Sequence, residues 1–299
     1  MVPLLRSSRI SRRRFLQGAT AATVGVASQG LRALSATDKI GIQLYTVGED
    51  LQRDVPGTLR KLRSIGYTQV ETAGFAGLTA KEFRTHLDDA GLTCRSMHLP
   101  LGDHPLDPLF EDAQTMGAHF AVSSVLFSLK TSPDKLSIDD YRAMAERAND
   151  LGSKAKQAGL RYAYHNHNVE FRVLDGGGIG YDILLKQTDP ALVDFEMDCG
   201  WVVAAGHSPV SYFHDYPHRY KMLHIKDFVA GSRVSTSLAK GERPQGTELG
   251  RGHIDYKPIL DAAAKAGIYD YYIEQEPPFP DMKPLEAAKI DYDYLNGLK

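Results

Sequence analysis

From residue 39 onward the chain switches about eight times between short strand-like runs and amphipathic runs of helical period, over about 260 residues. The strand-like runs are "KIGIQLYTV", "TQVETAGF", "LTCRSMHLPL", "AHFAVSSVLF", "LRYAYHNHNVEF", "ALVDFEMDCGWV", "RYKMLHIKDFV" and "YDYYIEQEPP". Between them lie "VPGTLRKLRSIG", "TAKEFRTHLDDAG", "PLFEDAQTMG", "IDDYRAMAERANDLGSKAKQAG" and "IGYDILLKQTDP", with further helices expected near 208–218, 255–267 and 284–297. Gly66, Gly91, Gly159 and Gly267 stand where helices should stop, because glycine takes the left-handed turn that ends a helix without strain.

Strand, helix, strand in that rhythm gives parallel strands joined by helical crossovers, and eight such units close on themselves. The expected fold is α/β, a (β/α)8 TIM barrel forming one domain over residues 37–299. A doubly wound open sheet would need a glycine-rich phosphate turn after its first strand, and "QLYTVGEDL" is not one. No repeat, linker or composition break divides this stretch.

Residues 1–36 differ in kind: they carry Arg6, Arg9, Arg12, Arg13, Arg14 and Arg32 and no acidic residue. "SRRRFLQ" followed by the weakly apolar "GATAATVGVASQG" resembles a twin-arginine export signal, with Arg12 and Arg13 as the pair. The run is too short and too polar for a membrane span, so cleavage after Ser35 or Ala36 and export to the periplasm by the twin-arginine machinery are expected. Six of the 35 basic residues leave with it, and 29 remain against 37 acidic ones, a net charge near −8. That sign disfavours a nucleic-acid partner. Cys94 and Cys199 fall in distant strand-like runs and read as two buried thiols rather than a disulfide.

A barrel of this kind carries its chemistry at the C-terminal ends of its strands. There the chain places its unusual polar residues. Side chains alternate along a strand, so His165 and His167 share a face on the fifth, Glu196 and Asp198 on the sixth, His224 and Lys226 on the seventh, and Glu274 and Glu276 on the eighth. Earlier strands add Gln43, Tyr45, Glu71 and His98. Carboxylates and imidazoles buried together carry a heavy desolvation cost unless something pairs them, and a divalent cation would do so. His165, Asp198, His224 and Glu274 offer one ligand per strand, a mixed nitrogen and oxygen set suited to Mn, Zn, Co, Fe or Mg.

Taken together, "YHNHNVEF", "EMDCGW", "LHIKD", "GRGHID" and "IEQE" resemble the sugar phosphate isomerase/epimerase family of xylose-isomerase-like barrels, from about residue 39 to 299. The resemblance implies a metal held by Glu, Asp, His and Glu on strands five to eight, which here are His165, Asp198, His224 and Glu274. His165 departs from that pattern. In the family's epimerases the Glu residues of strands five and eight act as paired acid and base, and one of that pair is imidazole in this chain. Trp201 is a second departure, three residues after Asp198 where many relatives have His; it would serve as a platform for a sugar ring or close the barrel mouth.

The chemistry so implied is abstraction of a proton next to a carbonyl, through an enediolate. His167 and Glu170 are candidate bases, Glu274 a ligand and acid/base, Lys226 a donor to a developing oxyanion, and His98 a donor to a sugar hydroxyl. Gln43, Tyr45, Glu71, Trp201 and Glu276 complete the expected substrate contacts. Protonation at the neighbouring carbon gives an isomerase or epimerase, the leading expectation; loss of a β-substituent gives a lyase acting on an oxidised glycoside or inositol derivative. An exported enzyme without a clear phosphate cradle, "GGGIG" at 176–180 being a weak one, points to an unphosphorylated carbohydrate-like substrate. A DNA-repair endonuclease on this barrel would need more histidines, and a non-catalytic sugar-binding protein is the competing class.

Overall fold

Eight parallel strands close into a barrel in the computed structural model, which describes residues 40–101, 104–126, 132–280 and 282–298. They are β1 (Ile40–Gln43), β2 (Gln69–Thr72), β3 (Thr93–His98), β4 (Phe120–Ser123), β5 (Arg161–His165), β6 (Val193–Asp198), β7 (Tyr220–Ile225) and β10 (Asp270–Ile273). A two-stranded excursion, β8 (Asp227–Phe228) against β9 (Gly246–Thr247), leaves the barrel after β7. Closure comes from β1 pairing with β10, Ile40 beside Tyr271 and Ile42 beside Ile273. The basic segment of residues 1–36, with its expected cleavage site, lies outside the described residues.

The connecting helices are α1 (Gly48–Arg53), α2 (Val55–Ile65), α3 (Ala80–Ala90), α4 (Leu106–Met116), α5 (Ile138–Gln157), α6 (Gly180–Gln187), α7 (Cys199–Ala204), α8 (Pro209–Asp215), α9 (Tyr256–Lys265) and α10 (Pro284–Gly297). Their ends follow local chemistry. Thr79 and Ser137 open α3 and α5 with reciprocal capping boxes, and Gly91 and Gly117 close α3 and α4 at φ of 69° and 76°.

Two elements end earlier than the hydrophobic pattern suggests. Residues 44–47 form a 3-10 turn because the Gln43 side chain accepts the Tyr45 amide. Residues 199–204 become α7 because the Asp198 carboxylate caps it, accepting from the Trp201 amide at 2.9 Å.

The barrel interior is layered. Phe120, Val122, Ala163, Met222 and Tyr272 fill its lower part as a separate apolar cluster. Gly41 makes room for the Tyr272 ring, since a Cβ there would lie 2.6 Å from it. Two residues further along their strands, Ala163 and Met222 give way to His165 and His224, so the apolar plug is the floor of a polar tier. The main core packs the helices onto the outer face of the strands. Cys94 and Cys199 are both buried and both free, as expected.

Candidate active site

Six strands send polar side chains onto this floor. Glu71 of β2 accepts hydrogen bonds from Gln43 Nε2 at 2.8 Å and from the Ser96 hydroxyl. His98 Nε2 lies 2.8 Å from Glu196 Oε2 and 3.3 Å from Glu71 Oε2. The same Glu196 oxygen is 3.1 Å from His165 Nδ1 and 3.3 Å from His224 Nε2, and His224 Nε2 is 2.5 Å from Glu71 Oε2.

Charge is divided unevenly in this inner tier. Burial disfavours the Glu71 carboxylate, but the charges of His98 and His224 outweigh it and hold Glu71 well below its ordinary value. Burial and the charge of Glu71 push Glu196 up to about 7. Burial also works against charged His98, yet Glu71 and Glu196 raise it to about 10. His165 has burial and the neighbouring His224 and His98 against it, and is driven well below the usual imidazole range.

An outer tier sits above. Lys226 Nζ lies 3.0 Å from Asp198 Oδ2, 2.6 Å from Glu274 Oε2 and 2.8 Å from Glu276 Oε1. Burial disfavours the ammonium, but these three carboxylates hold its pKa well above the ordinary lysine value. Glu274 Oε2 also faces His224 Nδ1 at 3.2 Å, so the His224 ring joins the tiers, one nitrogen to each. Arg243 pairs with the other oxygen of Glu276. Both cations stand over Trp201, 5.1 Å and 5.3 Å from its ring centroid.

Asp227 explains why "LHIKD" and "GRGHID" occur together. Its carboxylate accepts from the amides of Phe228, Gly250, Gly252, His253 and Ile254, at 2.9 to 3.2 Å. Gly252 must lack a side chain, because a Cβ would fall 2.1 Å from Asp227 Oδ1. This latch, which sequence reasoning did not assign, anchors the excursion that carries Arg243. Its signal was the short glycine-flanked loop following the strand-end Asp.

Most of the expected residues converge, by routes that differ in places. His167 lies past the end of β5, yet its ring centroid is 5.2 Å from that of His165. Asn166 pins the strand end to β6, accepting from the Asp198 amide and donating to the Asp198 carbonyl. Glu170 is placed as a loop latch rather than a free base: one oxygen accepts from Tyr164 OH at 2.7 Å and the other from the His167 amide at 3.0 Å. Tyr45 lies at the exposed rim, outside the cluster, because the 3-10 turn ends β1 before it. Trp201 is fully buried in α7 beneath Lys226 and Arg243, a wall of the mouth and not an open stacking platform.

The donor chemistry fits a divalent cation. Asp198, His224 and Glu274 form one group of converging ligand atoms, and His98, His165, Glu196 and His224 form another, each within 4.8 Å. Glu196 Oε1 is buried without a hydrogen-bond partner among the described residues, as a carboxylate built for more than hydrogen bonding would be.

Comparison with known proteins agrees with this architecture. The chain is 31% identical over 174 residues to the inosose dehydratase of Lacticaseibacillus casei, a match covering 53% of this chain and about half, 55%, of that relative. It is 26% identical over 290 residues to the inosose dehydratase of Mesomycoplasma hyopneumoniae, covering 89% of this chain and 88% of the relative. A crystal structure of a sugar phosphate isomerase/epimerase from Parabacteroides distasonis superposes with a TM-score of 0.70 at 26% identity, covering 89% and 98% of the two chains. The model of the xylose isomerase-like TIM barrel family matches residues 59–297, and the chain belongs to that family.

Proposed function

We propose that this chain is a metal-dependent lyase that removes the proton next to the carbonyl of an unphosphorylated, carbohydrate-like ketone and expels a β-oxygen substituent. The observation that carries the reading is His165, an imidazole where a paired-carboxylate epimerase would place its second carboxylate. Epimerisation asks two groups to exchange the roles of acid and base at one carbon, whereas elimination asks one group to take a proton and a different one to give it. An imidazole in place of one carboxylate removes that symmetric pair and suits the second task. The names of the dehydratase relatives, one of them aligned over most of its length, support it.

A bound divalent cation, held by donors grouped around His224, would supply Lewis-acid polarisation of the substrate oxygens. Everything else falls to the chain. His167 stands at the mouth with its ring directed toward His165 and Trp201, placed to accept the substrate proton. Lys226, fixed by three carboxylates, presents an ammonium to negative charge developing on oxygen. Burial works against the Glu274 carboxylate, but the Lys226 and His224 beside it hold it well below its ordinary value. It thus keeps the Lys226 ammonium at the mouth, and that ammonium gives the proton to the departing oxygen. Asp198, Glu274 and Glu276 already engage Lys226, and Arg243 is committed to Glu276, which leaves the mouth poorly suited to a phosphate.

Incubation with a keto-inositol or a 3-keto-glycoside and Mn(II) in deuterated water is expected to give an unsaturated ketone, seen by its ultraviolet absorbance and by loss of the α-proton signal. His167→Asn should lower kcat by about 100-fold or more. Deuterium incorporation without loss of the substituent would move the assignment to the isomerase or epimerase reading, which the Parabacteroides relative favours. Binding without any proton exchange would leave a sugar-binding protein.

A further inference from the structure

The two tiers do not offer a cation the same reception. In the outer tier, the Glu274 oxygen facing His224 is the one that Lys226 Nζ touches at 2.6 Å, and Asp198 Oδ2 is only 3.0 Å from the same ammonium. A dication placed among these oxygens would sit about 3 Å from a fixed positive charge in a buried setting, where the repulsion is strong. Lys226 cannot simply swing aside. Its stem is packed against Gly200, where a Cβ would lie 2.3 Å from Lys226 Cγ, and Glu276 and the Trp201 face hold its head.

The inner tier holds no ammonium, and its charged imidazoles, His98 and His224, become neutral ligands by releasing their protons to solvent as an ion binds. Its donor atoms, His98 Nε2, His165 Nδ1, Glu196 Oε2 and His224 Nε2, include separations of 2.8, 3.1 and 3.3 Å from the shared Glu196 oxygen. Ligands bound at ordinary metal distances on adjacent coordination positions lie about 3 Å apart, so the spacing is that of a coordination sphere. Glu196 brings a second oxygen without a partner among the described residues, and Glu71 Oε2 stands beside two of the imidazoles.

From this geometry we infer that the divalent cation of this chain is held one tier deeper than the family pattern implies, by His98, His165, Glu196 and His224, while Lys226 permanently fills the outer position. The inference rests on the reading that this mouth binds a divalent cation. It gives Asp198 and Glu274 a different task. Glu274 Oε2 faces the second ring nitrogen of His224 at 3.2 Å, as a carboxylate that orients a ligating histidine does, and Asp198 Oδ2 stands 3.8 Å from that of His165, beyond hydrogen-bond reach. Glu274 then keeps its oxygen for His224 and Lys226. Three imidazoles and a carboxylate select Zn, Fe or Co over Mg or Ca.

The test is metal retention by purified protein loaded with Co(II) and dialysed, in four variants, each checked for folding by circular dichroism. His98→Ala and Glu196→Gln should lose the ion and its visible absorption bands. Asp198→Asn and Glu274→Gln should keep it, with affinity lowered by at most about 100-fold. Pulsed EPR of the Cu(II)-loaded wild type needs no variant, and should count three imidazoles rather than two. Retention in the first pair with loss in the second, or a count of two, would overturn the inner assignment and leave the lyase reading standing. No uptake by the wild type would overturn both.

Discussion

Gly200 controls how closely Lys226 can approach the carboxylates of the mouth. A Cβ at this position would lie 2.3 Å from Lys226 Cγ and 2.9 Å from the Lys226 carbonyl oxygen, neither of which is the free end of a side chain. Gly200→Ala should therefore cost about 1–3 kcal/mol in urea unfolding and lower kcat by displacing the ammonium. Unchanged stability and turnover would show that the backbone just after β7 gives way more easily than its packing implies. At this scale the sequence was partly legible. Strand alternation and the strand-end rule find His165, Asp198 and His224 without any structure. The same rule marks Glu71 as a substrate contact and Glu196 as a neighbour of Asp198 but joins neither to the histidines, because nothing linear shows residues 71, 98, 196 and 224 meeting within hydrogen-bond reach. Trp201 closes the mouth, one of the two roles its position allowed, and Glu170 holds the loop after β5 through Tyr164 and the His167 amide.

Among the elements, the segment from β7 to α9 departs most from a plain strand and helix. Asp227 holds its far end by backbone hydrogen bonds, and Asp291 of α10 holds its middle, accepting from the Leu249 amide at 2.7 Å. Asp291 is 1% exposed, and burial first, then the charges of Glu248 and Asp227, push its carboxyl up to about 8. A carboxyl raised on folding binds its proton more tightly in the folded state. The stability it lends is complete below the unfolded value of 3.8 and is lost as pH climbs through about 8. Asp291→Asn removes that loss, so the variant should gain on the wild type by roughly 5 kcal/mol between pH 4 and 9. Parallel pH profiles of the two melting temperatures would exclude the mechanism. The excursion was invisible in the hydrophobic pattern because β8 and β9 are two residues each, too short to show a period.

The molecule as a whole is a closed ring, and closure makes its two thiols reporters of global opening. Cys94 lies on β3 with its thiol directed to the Ser96 carbonyl, and Cys199 opens α7 beside Asp198. Burial pushes both thiols up, so the reactive thiolate is scarce as well as inaccessible. Every barrel strand has a neighbour on each side, which leaves no edge from which to peel one strand away. This closure was the most legible property of the sequence, since eight alternations of strand and helix leave few other ways to bury every strand. Both cysteines should resist a thiol reagent in native buffer and then react at one common rate in moderate urea. Mn(II) at 100 times its dissociation constant should slow both by about 100-fold, because an ion bound only by the folded barrel subtracts from every opening that breaks the site. If Cys199 alone reacted quickly and ignored the metal, α7 would open independently of the barrel, and the mouth would be a separable lid on a rigid ring.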